Sequence, residues 1–420
     1  MLLNQCFYPD VVSTAQHLTD LATELSRRGH AVTVLTSDRG YDNPSVRFQR
    51  RECWQGIDII RIPSFSWGKS SKLKRAVNFS SFLFICALRM LFVRRVDAVV
   101  ALTSPPLISV LAALYTHFTR ARLYCWIMDL NPDEAIAAGW LKEQSITARM
   151  LKRMMNYSLR QAAHVVVLDR FMNERVRRSG VNRNGISVLA PWSQSDVVGY
   201  SGSGREQFRT AHDLDGKFVV MYSGNHSPCH PLDTLLNAAF NLHDRQDLVF
   251  CFIGGGSEHE KVQRFAQQHG LTNIKRLSYQ PLNQLSASLS AADLHVVVMG
   301  DPFVGVIHPC KIYNIIAVGS PILYIGPDQS HVTDLATHLN GRLLTARHND
   351  HATVAQHILN ASLSRSEQSR DQANQKSPFS KEVLLPQLCA IVESGTDEVA
   401  LLPRSMPTES VLSITNEPGR

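Results

Sequence analysis

The chain has 420 residues, more than a single hydrophobic core normally supports, so two domains are expected. Apolar residues make up 44% and charged residues 19%, a balance that excludes a disordered or fibrous protein. The formal charge of +7 is uneven, because residues 1–200 hold 26 Lys and Arg against 15 Asp and Glu, whereas residues 201–420 hold 17 against 21. The first half is therefore the part expected to face anionic partners.

A basic stretch without acids lies between Asp58 and Asp97. Its basic residues include Lys69, Lys72, Lys74, Arg75, Arg89, Arg94 and Arg95. They are compatible either with a solvated face or with contact to phosphate or anionic lipid. The apolar run from Phe79 to Val93 is too short to span a bilayer and contains Arg89. It is predicted to be an amphipathic or buried helix, and its basic flanks suit a bilayer surface.

The eight cysteines are scattered and include no C-x-x-C pair. Their spacing indicates neither a zinc site nor a disulfide framework, so a reducing compartment is expected. No signal peptide precedes the first strand, which together with the cysteines predicts a cytoplasmic location.

The first half alternates apolar strands with helices. The opening MLLNQCFYPD predicts a strand and a loop, followed by a helix with Ser13 or Thr14 as N-cap. The later strands are predicted at HAVTVLTS, DAVVALTS, ARLYCWIMD, HVVVLDR and GISVLAP. Continuous hydrophobicity is typical of parallel strands covered on both faces, so residues 1–200 are predicted to be one Rossmann-like, doubly wound domain.

The second half repeats this pattern after a polar, Gly/Ser-rich stretch at 196–216 that predicts a linker. Strands are predicted at FVVMYSG, LVFCFIGGG, IKRLSY, LHVVVM and PILYIG, with helices at 232–244, 258–269, 282–291 and 311–318. Residues 201–375 are thus predicted to be a second Rossmann-like domain, 376–395 a last helix and 396–420 a disordered tail. Since open parallel sheets bind ligands at the carboxyl ends of their strands, the cleft between the domains is the expected site.

The order of motifs resembles glycosyltransferase family 4 enzymes of the GT-B fold. The residues that carry the resemblance are FYPDVVSTAQHLTDLATELSRRGHAVTVLTS, MDLNPDEA, VVVLDRFM, YSGNHSPCHPLDTLL, FIGGG, AADLHVVVM and HPCKIYNIIAVGSPIL. The chain is similar to those members of the family that build surface polysaccharides. The resemblance implies metal-independent transfer of a sugar, with retention, from a nucleoside diphosphate sugar to a hydroxyl. It also implies that the last helix crosses back onto the first domain.

The residues that face the diphosphate in the family differ here. The pattern G-R-x-x-x-x-K-G corresponds to GNHSPCHP, which places Asn225 after Gly224 and His230 where the family has its lysine. Asn225 can donate a hydrogen bond and His230 can carry a proton near neutral pH, or both can simply shape a turn before Pro231. Lys311, at the start of the helix that faces the donor in the family, is the expected replacement for the absent cation.

The two acidic residues of the family's donor helix are also replaced. Their positions correspond to Val306 and Asn314, so Asn314 is predicted to contact the ribose without offering a carboxylate. Asp301 is a weaker substitute. For the base, the resemblance implicates Tyr279 and Gln280, while Gly254 and Gly255 either admit the donor closely or form a tight turn.

In the first domain the resemblance implicates the backbone of Ser13 and Thr14 in phosphate or acceptor contact. Asp129 is the candidate that positions or partly deprotonates the acceptor hydroxyl, or else it caps the following helix. The predicted catalytic residues are therefore Asp129, Lys311 and His230, without a metal or other cofactor.

The expected partners are a nucleotide sugar, a saccharide or lipid-linked acceptor and an anionic membrane surface at the inner face, with no nucleic acid. Two alternatives remain open at this point: a nucleotide-sugar epimerase of the same fold, and a catalytically degenerate GT-B binding module.

Overall fold

The computed structural model describes residues 1–41, 43–63, 72–93, 95–193, 198–364 and 377–394, with the backbone alone for residues 72–76, 183 and 394. The predicted tail at 396–420 lies outside the described residues, as do Lys69 and Arg94 of the basic stretch.

One sheet is built from the first half of the chain. Its strands are β1 (Leu2–Leu3), β2 (Thr33–Ser37), β3 (Arg51–Trp54), β4 (Ile57–Ile62), β5 (Ala98–Ala101), β6 (Arg122–Trp126), β7 (His164–Val167) and β8 (Ile186–Val188). They lie in the order β3-β4-β2-β1-β5-β6-β7-β8, with β3 antiparallel to β4 and the other pairs parallel. Because strands such as β7 are buried along their whole length, helices must cover both faces.

The helices of the first half are α1 (Ser13–Arg27), α2 (Lys72–Met90), α3 (Ile108–Thr119), α4 (Asp133–Ala137), α5 (Ile146–Gln161) and α6 (Arg170–Arg178). The predicted N-cap of α1 is wrong. Val12 occupies that position and no side chain caps the helix, so Ser13 and Thr14 lie in the first turn, where backbone N–H groups lack partners within the helix.

A second, fully parallel sheet follows. Its strands are β9 (Phe218–Asn225), β10 (Leu248–Gly255), β11 (Ile274–Leu277), β12 (Leu294–Val298), β13 (Ile322–Ile325) and β14 (Leu343–Ala346), in the order β11-β10-β9-β12-β13-β14. The remaining helices are α7 (Gly202–Ala211), α8 (Asp233–Asn241), α9 (His259–Gln268), α10 (Leu285–Ser290), α11 (Lys311–Ala317), α12 (His331–Asp334), α13 (His351–Leu363) and α14 (Lys381–Ser394). The two predicted parallel α/β units are confirmed.

The predicted linker is in part a helix. Ser201 caps α7 by accepting a hydrogen bond from the amide of Gly204. Arg205 and Arg209 on this helix both bind the buried Asp293 carboxylate, at 2.5 and 3.1 Å. The polar composition of this stretch therefore reflects a charged contact with the second sheet, which sequence periodicity does not reveal.

The hydrophobic core continues from one sheet to the next. Its largest cluster joins residues of the first sheet to Val306 and Tyr313 of the second unit and to Leu388 of α14. α14 packs against α1, and its Glu393 binds Arg28 at 2.9 Å. In the part of the chain that the structure describes, no helix is both long enough and apolar enough to cross a membrane.

Candidate active site

Lys311 begins α11 and lies against the carboxyl end of β9. Its Nζ is 3.7 Å from the centre of the Tyr222 ring. A Cβ at Gly224 would lie 3.2 Å from the same Nζ, so the glycine lets the end of the strand and the ammonium approach each other. The Nζ atom is buried and has no hydrogen-bond partner among the described residues. Burial lowers the pKa of Lys311 to about 7, so its charge is easily gained or lost at neutral pH.

His230 is close enough to Lys311 to sense its charge, but it is not a cation itself. The His230 Nδ1–H donates to the carbonyl of Val298 at 2.7 Å. Burial, and then the Lys311 ammonium, lower the pKa of His230 to about 3. The expectation of a protonated imidazole is therefore wrong, because a buried ring beside an ammonium stays neutral. In this tautomer Nε2 is an acceptor.

His226 is a further polar side chain that the sequence did not single out. Its Nδ1 is 2.9 Å from the carbonyl of Gly224, and its Nε2 is buried without a partner among the described residues. Burial and then the Lys311 charge lower its pKa to about 3. Its position directly after Asn225 was the available signal.

The glycine-rich end of β10 pairs with the end of β9. Gly254 has φ +133°, and a Cβ there would overlap the carbonyl oxygen of Gly224. A Cβ at Gly255 would lie 3.1 Å from the ring of Tyr279, whose hydroxyl is 3.4 Å from the Gly255 carbonyl. Asn225 ends β9 with an exposed side chain. The structure thus brings Gly224, Asn225, Gly254, Gly255 and Tyr279 together at the carboxyl ends of these two strands, with Tyr279 itself 52% exposed.

Asp129 forms the wall of the cleft contributed by the first domain. It follows β6 at the carboxyl end of the strand, where it is partly buried. Burial, and then the nearby Glu134 carboxylate, raise the pKa of Asp129 to about 8. A carboxyl group with this pKa exchanges its proton near neutral pH, which is the property of a general acid or base.

Cys310 connects the two walls of the cleft. The Ser13 side chain hydrogen-bonds the Cys310 thiol, and the Asp129 carboxylate lies close enough to act on it electrostatically. Burial raises the pKa of this thiol to about 12, so it stays protonated. Cys310 immediately precedes Lys311 in the sequence. Ser13 and Asp129, which both act on Cys310, therefore lie in the same region of the cleft as the lysine.

The positions that replace the family's two acidic residues have different environments. The side chain of Val306 is buried, and its carbonyl accepts a hydrogen bond from the Leu130 amide at 2.8 Å. Asn314 is partly buried on α11, and Thr14 is partly buried in the first turn of α1. The Gln280 side chain donates to the Ser278 carbonyl at 2.9 Å. Contact of Asn314, Thr14 and Gln280 with a donor stays a prediction.

A buried polar cluster joins the two domains beside the cleft. The Asp169 carboxylate is 2.8 Å from His308 Nδ1, and His308 Nε2 is 2.8 Å from the Tyr313 hydroxyl. The His331 ring stacks on His308 at 3.8 Å. Burial raises the pKa of Asp169, but the hydrogen bond from His308 and other contacts outweigh it, so the net pKa is lowered.

Asp169, His308 and His331 also form the one group of described residues with metal-binding potential. They offer one ligand atom each, and these atoms lie within 4.8 Å of one another. Both nitrogens of His308 are, however, already in contact with Asp169 and Tyr313. The hydrogen bonds therefore account for this cluster as a contact between domains.

Two family profiles match the chain: "Glycosyl transferase 4-like domain" over residues 14–192 and "Glycosyl transferases group 1" over residues 204–376. Together with the two parallel α/β units around a common cleft, these matches define a glycosyltransferase of the GT-B fold. The chain belongs to glycosyltransferase family 4, as its motifs indicate, and it is an enzyme.

Similar proteins include enzymes of bacterial cell-surface synthesis. The putative colanic acid biosynthesis glycosyl transferase WcaI of Escherichia coli (strain K12) is 25% identical over 330 residues, which are 74% of this chain and 79% of WcaI. Anabaena Alr3699/HepE, solved in complex with UDP and glucose, superposes with a TM-score of 0.69 at 14% identity, covering 94% of this chain and 98% of HepE. WaaG, a glycosyltransferase involved in lipopolysaccharide biosynthesis, has a TM-score of 0.68 at 15% identity, covering 94% and 99%.

Proposed function

We propose that this enzyme transfers a hexosyl or N-acetylhexosaminyl residue from a UDP- or GDP-linked sugar to a hydroxyl of a lipid-linked saccharide. The reaction retains the anomeric configuration, requires no metal and belongs to cell-surface polysaccharide synthesis on the cytoplasmic side of the membrane. Similarity to WcaI and to WaaG supports a role in polysaccharide synthesis. The complex of HepE with UDP supports a nucleotide sugar as the donor.

The observation that carries the proposal is the buried ammonium of Lys311. It lies against Gly224 near the end of β9, faces the Tyr222 ring and has no anionic partner among the described residues. A diphosphate in this place would raise the lysine pKa and fix its positive charge. The charge that develops on the leaving diphosphate would then be stabilised without a metal ion.

The proposed chemical step is front-face substitution. The bond between the sugar C1 and the diphosphate oxygen breaks, and a bond from C1 to the acceptor oxygen forms on the same face. The acceptor proton passes to the departing diphosphate oxygen, while Asp129 holds the acceptor hydroxyl by a hydrogen bond. Trapping of a covalent glycosyl-enzyme intermediate by mass spectrometry would contradict this step.

The donor is tested with a thermal-shift panel of UDP-, GDP-, ADP- and dTDP-sugars, with and without EDTA. We expect the sugars of one nucleotide class to raise the midpoint temperature of thermal unfolding. The size of this increase should be the same with and without EDTA. A requirement for added metal would contradict the metal-independent mechanism, and a panel without any shift would contradict the donor site.

The Lys311 assignment is tested by Lys311→Met, which keeps much of the side-chain volume but removes the charge. We expect kcat/KM for sugar transfer to fall about 100-fold, in the range for loss of one transition-state donor. Lys261→Met is the matched control, because Lys261 lies on α9 and already binds Asp233 at 2.8 Å. Equal activity of the two variants would refute the assignment.

A further inference from the structure

Helices α2 and α3 expose a group of large apolar side chains, here called the α2–α3 surface. Its members are Phe84, Leu88, Leu91, Phe92, Leu114 and Phe118. Phe92 and Phe118 are 85% and 82% exposed, more than any other large apolar side chain that the structure describes. Clustered exposure of this kind marks an interaction surface, since soluble monomers seldom tolerate large apolar patches.

Packing of the domain does not explain this surface. α2 already buries Phe82, Cys86 and Met90, one turn apart, against the first sheet. Phe84 and Leu88, also one turn apart, point to solvent on the same helix. A helix with apolar residues on both its core face and its outer face needs a second apolar environment.

A groove runs between the end of α2 and α3. Its volume is about 710 Å³, and most of its lining comes from apolar side chains, including Leu91, Leu114 and Phe118. Arg95 and Arg120 also line it. The groove thus combines hydrocarbon-like walls with cationic groups.

The charge around the surface is predominantly positive. Arg89, Arg95, Arg120 and Arg122 have exposed side chains. Asp97, which is also exposed, is the single acid among residues 59–128. None of these four arginines forms an ion pair with an acid of the described residues.

We propose that the α2–α3 surface docks the enzyme on an anionic lipid bilayer. The apolar side chains enter the boundary between headgroups and acyl chains, and the arginines contact lipid phosphates. The inference goes beyond the proposed reaction, because it concerns a surface outside the donor site. It defines which part of the first domain meets the membrane.

The charge favours a bilayer over a second copy of this chain. In a two-fold dimer through this surface the same patch would face itself. The four arginines around one patch would then oppose those around the other, with Asp97 as the single acid of residues 59–128 to compensate. An anionic bilayer supplies negative charge and an apolar interior together.

The test is flotation of the full-length enzyme with vesicles, in the absence of donor and acceptor. Vesicles of phosphatidylcholine are compared with vesicles that also contain phosphatidylglycerol. We expect binding to the anionic vesicles that weakens as salt is raised, because the charged contacts are screened. Binding to neither kind, or equally to both, would overturn the proposal.

Two variants separate the apolar and the charged contributions. Leu91→Gln/Phe92→Gln and Arg95→Gln/Arg120→Gln should each lower the affinity for anionic vesicles about tenfold or more. Leu363→Gln is the control, since Leu363 is 77% exposed on α13, compared with 73% for Leu91. Unchanged vesicle affinity in both test variants would overturn the proposal, as would a dimer in solution that the Leu91→Gln/Phe92→Gln change dissociates.

Donor binding is measured on the same variants by thermal shift. We expect it to remain at the parental level, which also shows that the variants fold. Loss of vesicle binding with intact donor binding supports the docking surface. Vesicle binding by an enzyme that binds no nucleotide sugar would contradict the proposed function and leave the docking surface standing.

Discussion

At the scale of single residues, the proposed role of Lys311 would link proton uptake to donor binding. Burial lowers its pKa to about 7, whereas a bound diphosphate would raise it. Above about pH 7 the complex would therefore hold more protons than the free enzyme, and the affinity for the donor would fall as pH rises.

We expect the affinity for a nucleotide sugar to fall by up to about tenfold per pH unit above pH 7, the limit for uptake of one proton. Titration calorimetry between pH 6.5 and pH 8.5 measures this. Lys311→Arg is the control, because a guanidinium stays charged throughout and should remove the slope. A parental enzyme whose affinity does not change over this range would contradict the role of Lys311.

The raised pKa of Asp129 leads to a second prediction, in which kcat rises with pH whereas donor affinity falls. At saturating donor, kcat should rise with pH as the Asp129 carboxyl, with its pKa of about 8, loses its proton. Asp129→Asn should lower kcat about 100-fold and abolish this rise.

Glu134→Gln isolates the electrostatic part of this shift. Its side chain can still accept the hydrogen bond from Asn131, at 3.2 Å in the parent, but it loses the charge that helps raise the Asp129 pKa. The rise in kcat should move to lower pH. A profile that stays in place in Glu134→Gln would show that Asp129 does not control the rate.

The sequence predicted the locations of several site residues but not their protonation. The order of motifs placed Gly224, Asn225, Gly254, Gly255 and Tyr279 at strand ends, and the structure brings them together. Charge depends on burial and on partners distant in the chain, which explains the wrong charge expected for His230. The contact of Asp169 with His308 spans 139 residues and left no local pattern.

At the scale of elements, the paired ends of β9 and β10 support each other. Gly254→Ala would place a Cβ against the Gly224 carbonyl, at a backbone angle that favours glycine. The end of β9 would shift away from Lys311 in response. We expect at least about tenfold weaker donor binding and a loss of roughly 1–3 kcal/mol of unfolding free energy.

Gly270→Ala is the matched control for Gly254→Ala. Gly270 also has a positive φ, of +60°, but a Cβ there would meet nothing within 4 Å. It should cost about 1–2 kcal/mol of stability from the backbone angle and leave donor binding unchanged. Titration calorimetry and urea unfolding measure the two effects. Equal donor affinity in both variants would contradict the coupling between the ends of β9 and β10.

Three strands were missed from the sequence: Arg51–Trp54, Ile57–Ile62 and Leu343–Ala346. Arg51–Trp54 alternates exposed and partly buried residues at the sheet edge, and Leu343–Ala346 is an edge strand with one buried residue. Edge strands bury less surface, so their sequences carry a weaker signal. Ile57–Ile62 is internal and largely buried, but Asp58 and Arg61 interrupt its apolar run.

At the scale of the whole molecule, the continuous core couples the domains. Residues of the first sheet, of α11 and of α14 belong to one apolar cluster. We expect a single calorimetric unfolding transition whose calorimetric and van't Hoff enthalpies agree. Two resolved transitions would show that the domains unfold independently.

Several polar contacts join the two domains, besides the hydrogen bond between Ser13 and Cys310. They join Leu130 to Val306, Arg175 to Val304 and Arg170 to Asp334, and they include the buried Asp169–His308 pair. If a nucleotide sugar enters by a movement of the domains, we expect the domains to turn about this group of contacts, because the buried pair is the costliest of them to pull apart.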